Sequence, residues 1–401
     1  MNPLPEPQKY KLNVKPPNII SLIILSAFAS MGAALITPAL PSISQYFGIS
    51  SGHAQLTVTA FLTGYALGQL IYGPLANRFG RKPTFYIGIG IATLGSLFSI
   101  MSAPTNSFDL MITGRLFEAL GSSVGLVVCF TIINDFYFPE QARKMIGFMS
   151  LAFAIVPGVA IAIGGFITQY LQWLFCFYFL FIYGFMLILP AVTLPETITQ
   201  YDKNALHGKY LLSGYLKMFK NKKLMAYSFI YGLTCASIYI FSAQGPLLGI
   251  HRLGYAPAVY GMMGLIPYAG AVVGSMITIN FSKKLSANHM ILIAMVCEFT
   301  ASIIMLVCFA IGCFNIFTLI FPMILFMAGH ALLVSNAAGQ AIMQSDDKAN
   351  ASAVTNFIGV ATGVLGTFAL STMHFHSVLL LPILLNVCLV IMIGIYFFEV
   401  R

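Results

Sequence analysis

Charge is scarce in this chain. Only 8% of its residues are Asp, Glu, Lys or Arg, against about 25% in a soluble domain, so water is not the solvent for most of its surface. Acids are scarcer than bases, 11 against 20, and the net charge of +9 raises the question of a polyanion partner until the placement of the cations is examined. Cysteine offers no disulfide framework. The seven thiols, at 129, 176, 235, 297, 308, 313 and 388, are odd in number, lack CxxC spacing and sit in or beside apolar segments, so they read as free packing residues. An HExxH pair, paired catalytic aspartates and a phosphate-cradling glycine loop are also missing, which leaves an enzyme without its usual signatures.

What the chain has is hydrocarbon. Hydrophobic residues make up 59% of 401 positions and the mean hydropathy is +0.89; at ~20 apolar residues per crossing, that length holds about a dozen membrane spans. The pattern predicts an all-α integral membrane protein with helices at 18–40, 54–76, 83–103, 108–135, 143–169, 173–194, 224–248, 257–281, 288–312, 315–341, 351–373 and 377–398. With both termini on one side, Lys9, Lys11, Lys15, Arg78, Arg81, Lys82, Arg143, Lys144, Lys203, Lys209, Lys217, Lys220, Lys222, Lys223, Lys283, Lys284, Lys348 and Arg401 all fall on that side. Arg252 alone falls on the other, and Arg115 lies within a span. This positive-inside asymmetry makes both termini cytoplasmic and assigns the basic balance to topology in a lipid bilayer, not to nucleic acid. The first span is too long for a signal peptide and reads as uncleaved.

One connection is unusual. Pro195 to Lys223 is long, carries six lysines and separates six spans from six. The predicted organisation is therefore a tail (1–17), a bundle (18–194), a basic linker (195–223), a second bundle (224–398) and a short tail (399–401). Tyr210, Leu211, Leu212, Tyr215, Leu216 and Phe219 suit a basic amphipathic helix lying on an anionic leaflet. Two six-helix bundles around a midplane site are an architecture of secondary transporters.

Between the second and third spans lies Gly73-Pro74-Leu75-Ala76-Asn77-Arg78-Phe79-Gly80-Arg81-Lys82, read as a compact turn in which Gly73 permits close backbone approach and Gly80 supplies a positive φ. Within the spans, each ionisable residue needs a partner, water or a function. Arg115 and Glu118 are three residues apart on the fourth helix and can pair, with Glu118 ~15 Å deep counted from Phe108. Either this pair is self-satisfied and locks the helix, or Glu118 exchanges protons beside Arg115. Glu298 in the ninth helix is expected to meet a neighbouring helix, a headgroup or water. His330 in the tenth is either a hydrogen-bonded packing residue or a proton carrier. Tyr239 and Asn336 are candidates to contact a small amphipathic ligand. Pro157, Gly158, Gly164 and Gly165 allow the fifth helix to bend or simply to pack closely.

The decapeptide at Gly73–Lys82 resembles the loop signature of the major facilitator superfamily, G-x-L-a-D-r-x-G-r-k. Arg115-Leu116-Phe117-Glu118-Ala119-Leu120-Gly121 resembles its fourth-helix pattern R-x-x-Q-x-x-G, and Asn134-Asp135-Phe136-Tyr137 the R-D-[IL]-[FY] that closes that helix. Pro38-Ala39-Leu40-Pro41, Gly68 to Pro74, Pro157 with Gly164-Gly165, Leu194-Pro195-Glu196-Thr197 and Ser335-Asn336-Ala337 resemble the Bcr/CflA drug-resistance branch of the drug:proton antiporters. The resemblance implies a monomeric exporter in the bacterial inner membrane, driven by the proton gradient without a bound cofactor. It implies coupling and substrate roles for Arg115 and Glu118, and an inner latch in which Asp135 pairs with Arg78 or Arg81. Three departures stand out. The branch's helix-one acid is Ala34, its loop acid is Asn77 and its helix-four glutamine is Glu118. The first departure leaves uptake or exchange of one specific solute as the alternative, with a channel or transporter-like sensor behind it.

Overall fold

The computed structural model describes residues 15–400 apart from 204, 282, 283, 346 and 373–376. Lys9, Lys11, Ser282, Lys283 and Arg401 lie outside the described residues, as do the side chains of Arg143, Lys144, Lys209, Tyr210, Leu211 and Lys348. Twelve long helical stretches follow one another among the described residues: Ile19–Phe47, Ser51–Phe79, Arg81–Met101, Phe108–Phe136, Pro139–Tyr170, Leu174–Thr193, Lys222–Arg252, Pro257–Phe281, Ala287–Ala310, Ile316–Met343, Lys348–Thr372 and Leu380–Val400. Ten are long and apolar enough to cross a membrane by length and composition. The second span carries Gln55, Thr57, Thr59, Thr63, Gln69 and Asn77, which dilute its hydropathy. The first span bends at Thr37–Ala39, where Pro38 breaks the regular ladder.

Side-chain caps set where the helices begin. Asn18, Ser50, Ser107, Asn221 and Ser286 each accept a backbone N–H of the first turn that no helical carbonyl can reach. Inside the spans, Thr93, Ser96, Ser99 and Thr131 return their hydroxyls to carbonyls four residues back, as a medium without water demands. The surface is correspondingly apolar, with Ile182, Phe185, Leu189, Val296, Leu365 and Val390 all exposed. The seven cysteines are free. G-x-S-x-G spacing occurs at Gly48–Gly52 and Gly121–Gly125, but Ser50 caps a helix and Ser123 donates to the Leu120 carbonyl, so neither is a nucleophile elbow.

The first six spans pack mainly on one another and the last six likewise; the main contacts between the sets join the second span to the eleventh and the fifth to the eighth. The linker holds a helix, Gly208–Phe219, as expected. Its Tyr215 hydroxyl donates to the Leu70 carbonyl, its Met218 packs with Ala351, Val354 and Ile358 of the eleventh span, and Leu212, Leu216 and Phe219 remain exposed.

The basic decapeptide is not one turn. Gly73 to Phe79 continue the second helix, and a Cβ on Gly73 would meet open space, so the expected close approach there is absent. The approach belongs to Gly64 and Gly68, where a Cβ would strike the Leu116 carbonyl and the Ser123 hydroxyl of the fourth span. The turn is Gly80 alone, at φ +100°, as expected for the glycine that ends the helix. A second seam joins the third and fourth spans: Gly88 faces Gly121 and Gly95 faces Gly114, each leaving room only for hydrogen against the opposite backbone.

Candidate functional site: a cavity and its buried charges

A cavity of about 450 Å³ lies between spans one, two, four and five on one wall and seven, eight, ten and eleven on the other. Its aromatic surface comes from Phe61, Tyr65, Phe130, Tyr231, Tyr239 and Tyr268, and its polar groups are small or amide: Ser30, Gln69, Ser242, Ser335 and Asn356. Among the described residues no Asp, Glu, Lys or Arg lines it, and His330 is the one imidazole. The cavity reaches Ile342 and Ser352, at the ends of spans ten and eleven near the basic loops. At the other end the walls are tied: Gln55 Nε2 donates to Gln244 Oε1 at 2.7 Å, and Thr59 Oγ1 to Thr367 Oγ1 at 3.0 Å.

Arg115 and Glu118 do pair. Nη1 donates to Oε2 at 3.0 Å, and both side chains are 0% exposed. Arg115 Nη2 also donates to the Gly32 carbonyl at 2.9 Å, and its guanidinium lies 4.2 Å over the Phe61 ring. Neither residue lines the cavity in this structure. The reason is Phe61, whose ring stands between the guanidinium and the cavity wall. Gly32 leaves the room that the Glu118 carboxylate occupies, because a Cβ there would come within 2.9 Å of Oε1.

Asn336 is not on the cavity wall in this structure either. Its amide donates back to the Leu332 carbonyl, while Val334, Ser335 and Ala338 line the cavity in its place. Tyr239 and Pro157 do face the cavity, and so does His330, whose Nδ1 lies 2.9 Å from Thr234 Oγ1. Thr234 in turn donates to Glu298 Oε1 at 2.6 Å, so Glu298 meets a neighbouring helix as expected. Sequence reasoning missed Tyr231, Cys235, Ile238 and Ser242; their spacing with Tyr239 repeats every three to four residues and marks one face of the seventh helix.

Near the basic turn, Arg81 Nε donates to Asp135 Oδ2 at 2.9 Å and its Nη1 to the Ala76 carbonyl and Asn77 Oδ1. Of the two candidate partners of Asp135, the ion pair goes to Arg81, not Arg78. Thr197 donates to the same Asp135 oxygen. Glu196, which the residue pattern left without a role, accepts the backbone N–H groups of Arg81 and Lys82 at the N-terminus of the third helix. These bonds join the ends of spans two, three, four and six and stay within the first set of spans. Asp135→Asn is expected to cost about 1–2 kcal/mol of stability, because Asp135 is part-exposed, and to slow transport while leaving ligand affinity intact. Thermal unfolding and equilibrium binding on the purified variant check both halves.

The small residues of the fifth span have specific neighbours. A Cβ on Gly158 would meet the Tyr268 ring, on Gly164 the Leu35 carbonyl, and on Gly165 the Pro257 carbonyl. Close packing against spans one and eight is what these three positions do in this structure. Gly165 and Gly158 lie where the two sets of spans touch.

The Major Facilitator Superfamily family model matches residues 22–370. The chain is 23% identical to a bicyclomycin resistance protein homolog of Haemophilus influenzae over 95% of each chain, and 26% identical to a chloramphenicol resistance protein of Pseudomonas aeruginosa over 88% of this chain and 84% of that one. Among solved structures, a D-xylose-proton symporter superposes with a TM-score of 0.76 at 13% identity, over 96% of this chain and 97% of that one. A fold of twelve helical stretches around a central cavity and a family match across most of its length agree: the chain belongs to the Major Facilitator Superfamily of membrane transporters.

Proposed function

We propose that this protein exports small amphipathic compounds across a bacterial inner membrane in exchange for protons, by alternating access. The observation that carries this reading is the cavity, walled by aromatic and neutral polar side chains from both sets of spans and free of formal charge among the described residues. Such a wall favours neutral or weakly polar organic molecules over ions, because it offers no counter-charge to replace lost hydration. The relatives' names, bicyclomycin and chloramphenicol resistance, support the drug-like substrate class. Two six-helix bundles, 18–194 and 224–398, rock about the site, with the linker and both termini in the cytoplasm and a monomer as the working unit. The amide and hydroxyl ties at one end and the cavity's reach toward the basic loops support an inward-facing arrangement. The proton gradient is the energy source and no cofactor is needed.

Labelled chloramphenicol in proteoliposomes tests this. With the protein oriented inside-out, an acidic lumen is expected to drive accumulation, and counterflow is expected to show trans-stimulation. Accumulation only under the reversed gradient would establish the alternative, uptake or exchange of a specific solute. Cationic and anionic dyes of similar size are expected to be moved at least about tenfold more slowly than chloramphenicol, corresponding to roughly 1.4 kcal/mol of discrimination.

A further inference from the structure

Among the described residues two acids are fully buried in the spans, and Glu118 has a cation beside it while Glu298 has none. Glu298 sits midway along the ninth span, 0% exposed, with one carboxylate oxygen taken by Thr234 and the other, Oε2, without a hydrogen-bond partner among the described residues. Thr234 of the seventh span touches it and His330 of the tenth touches Thr234; the other titratable groups within its electrostatic reach are Cys235, Cys388 of the twelfth span and Cys297 on its own helix. None of these is a lysine or arginine. Gly329, beside His330, leaves the space that the Glu298 side chain fills, since a Cβ there would lie 2.9 Å from its Cγ. Glu118 differs in having a guanidinium at 3.0 Å. A carboxylate held in a low-dielectric interior with no cation carries a solvation cost that taking up a proton removes.

A hydrogen-bonded route joins the cavity to Glu298. His330 lines the cavity, its Nδ1 lies 2.9 Å from Thr234 Oγ1, and that oxygen lies 2.6 Å from Glu298 Oε1. We propose that Glu298 is a proton-binding site loaded from the transport cavity through His330 and Thr234, one proton per carboxylate. The hydrogen bonds work in both states. An ionised carboxylate only accepts, so Thr234 donates to Glu298 and His330 Nδ1–H donates to Thr234. With Glu298 protonated, the directions reverse, the acid donating to Thr234 and Thr234 to a bare Nδ1. Loading therefore takes one proton from cavity water onto His330 Nε2, passes the Nδ1 proton to Thr234 Oγ1, and passes the hydroxyl proton to Glu298 Oε1. The net change is a carboxylate turned to carboxylic acid, with imidazole and hydroxyl both neutral at the end. Unloading retraces the path. Other titratable groups on the same cavity wall are Tyr65, Tyr231, Tyr239, Tyr268 and Cys235, all neutral when protonated.

This inference rests on the proton-coupled reading of the cavity, so its test has an arm independent of transport. Infrared difference spectra of the full-length protein in lipid, acid against alkaline buffer, are expected to show a carboxylic C=O band that Glu298→Gln removes and Glu118→Gln keeps. Thr234→Ser is expected to preserve its pH response and Thr234→Val to slow its appearance. In proteoliposomes, the ratio of gradient-driven chloramphenicol accumulation to counterflow is expected to fall about tenfold or more in Glu298→Gln. A band that survives Glu298→Gln, or a Glu298→Gln protein with an undiminished ratio, overturns the assignment. A wild type that ignores the gradient overturns the proposed function instead, while the infrared arm still decides whether Glu298 takes the proton.

Discussion

Arg115→Ala is expected to cost about 3–5 kcal/mol, the usual penalty for removing one partner of a buried ion pair. The cost arises less from the lost attraction than from what remains: Glu118, already short of a partner at Oε1, would be left without a cation in a fully buried site. Truncation also removes the donor to the Gly32 carbonyl and the contact with Phe61. A double change, Arg115→Met with Glu118→Gln, keeps volume while removing both charges and is expected to recover most of the loss. Thermal unfolding of the purified variants measures it. If Arg115→Ala unfolds at the wild-type temperature, water reaches Glu118 and the pair is not buried as described above. Recovery in the double variant, with proton-coupled transport intact, separates a structural pair from a coupling one.

The second large effect concerns the glycine seam. Gly95→Leu is expected to destabilise by about 3 kcal/mol or more, because the added side chain has no rotamer that avoids the Gly114 carbonyl and the Glu118 backbone. Gly90→Leu, one turn and a half earlier on the same helix, faces open space and is expected to change little. The comparison is measured by unfolding in detergent and by yield from the membrane. Equal loss from both would mean that helix propensity, not the seam, decides. Because Gly95 presses on the backbone of Glu118, a milder Gly95→Ala is also expected to displace the Arg115–Glu118 pair and to destabilise, by less than Gly95→Leu does.

The fold was legible because hydropathy, turn glycines and the one-sided cations are local properties of a chain in lipid, and each could be read without knowing what touches what. Span boundaries moved mostly where a local device overrode the average: the Pro38 bend let the first helical stretch run on to Phe47, and Gly80 alone, not Gly73, made the turn. The charged residues were also visible as anomalies. Which of them meet was not. Arg115 and Glu118 share one helix and could be paired from spacing, but the link from His330 to Glu298 passes through Thr234 on a third span, and a threonine among apolar residues announces nothing. Helix phase was the other blind spot. Asn336 and Ser335 are adjacent, and only packing decides that the serine faces the cavity and the amide turns back to its own carbonyl. Phe61 illustrates the same limit, since nothing in the sequence says that a single ring will screen the guanidinium from the chamber.

The amide-to-amide tie between Gln55 and Gln244 bears on how the protein meets its surroundings. In the proposed transport cycle, a gate held by uncharged groups gains only about 1 kcal/mol from each such bond, so little opposes its opening. It is also deaf to dissolved salt, whereas a gate built from opposite charges would loosen as ions crowd around it. A cell that passes from dilute to briny fluid would keep this door on the same latch.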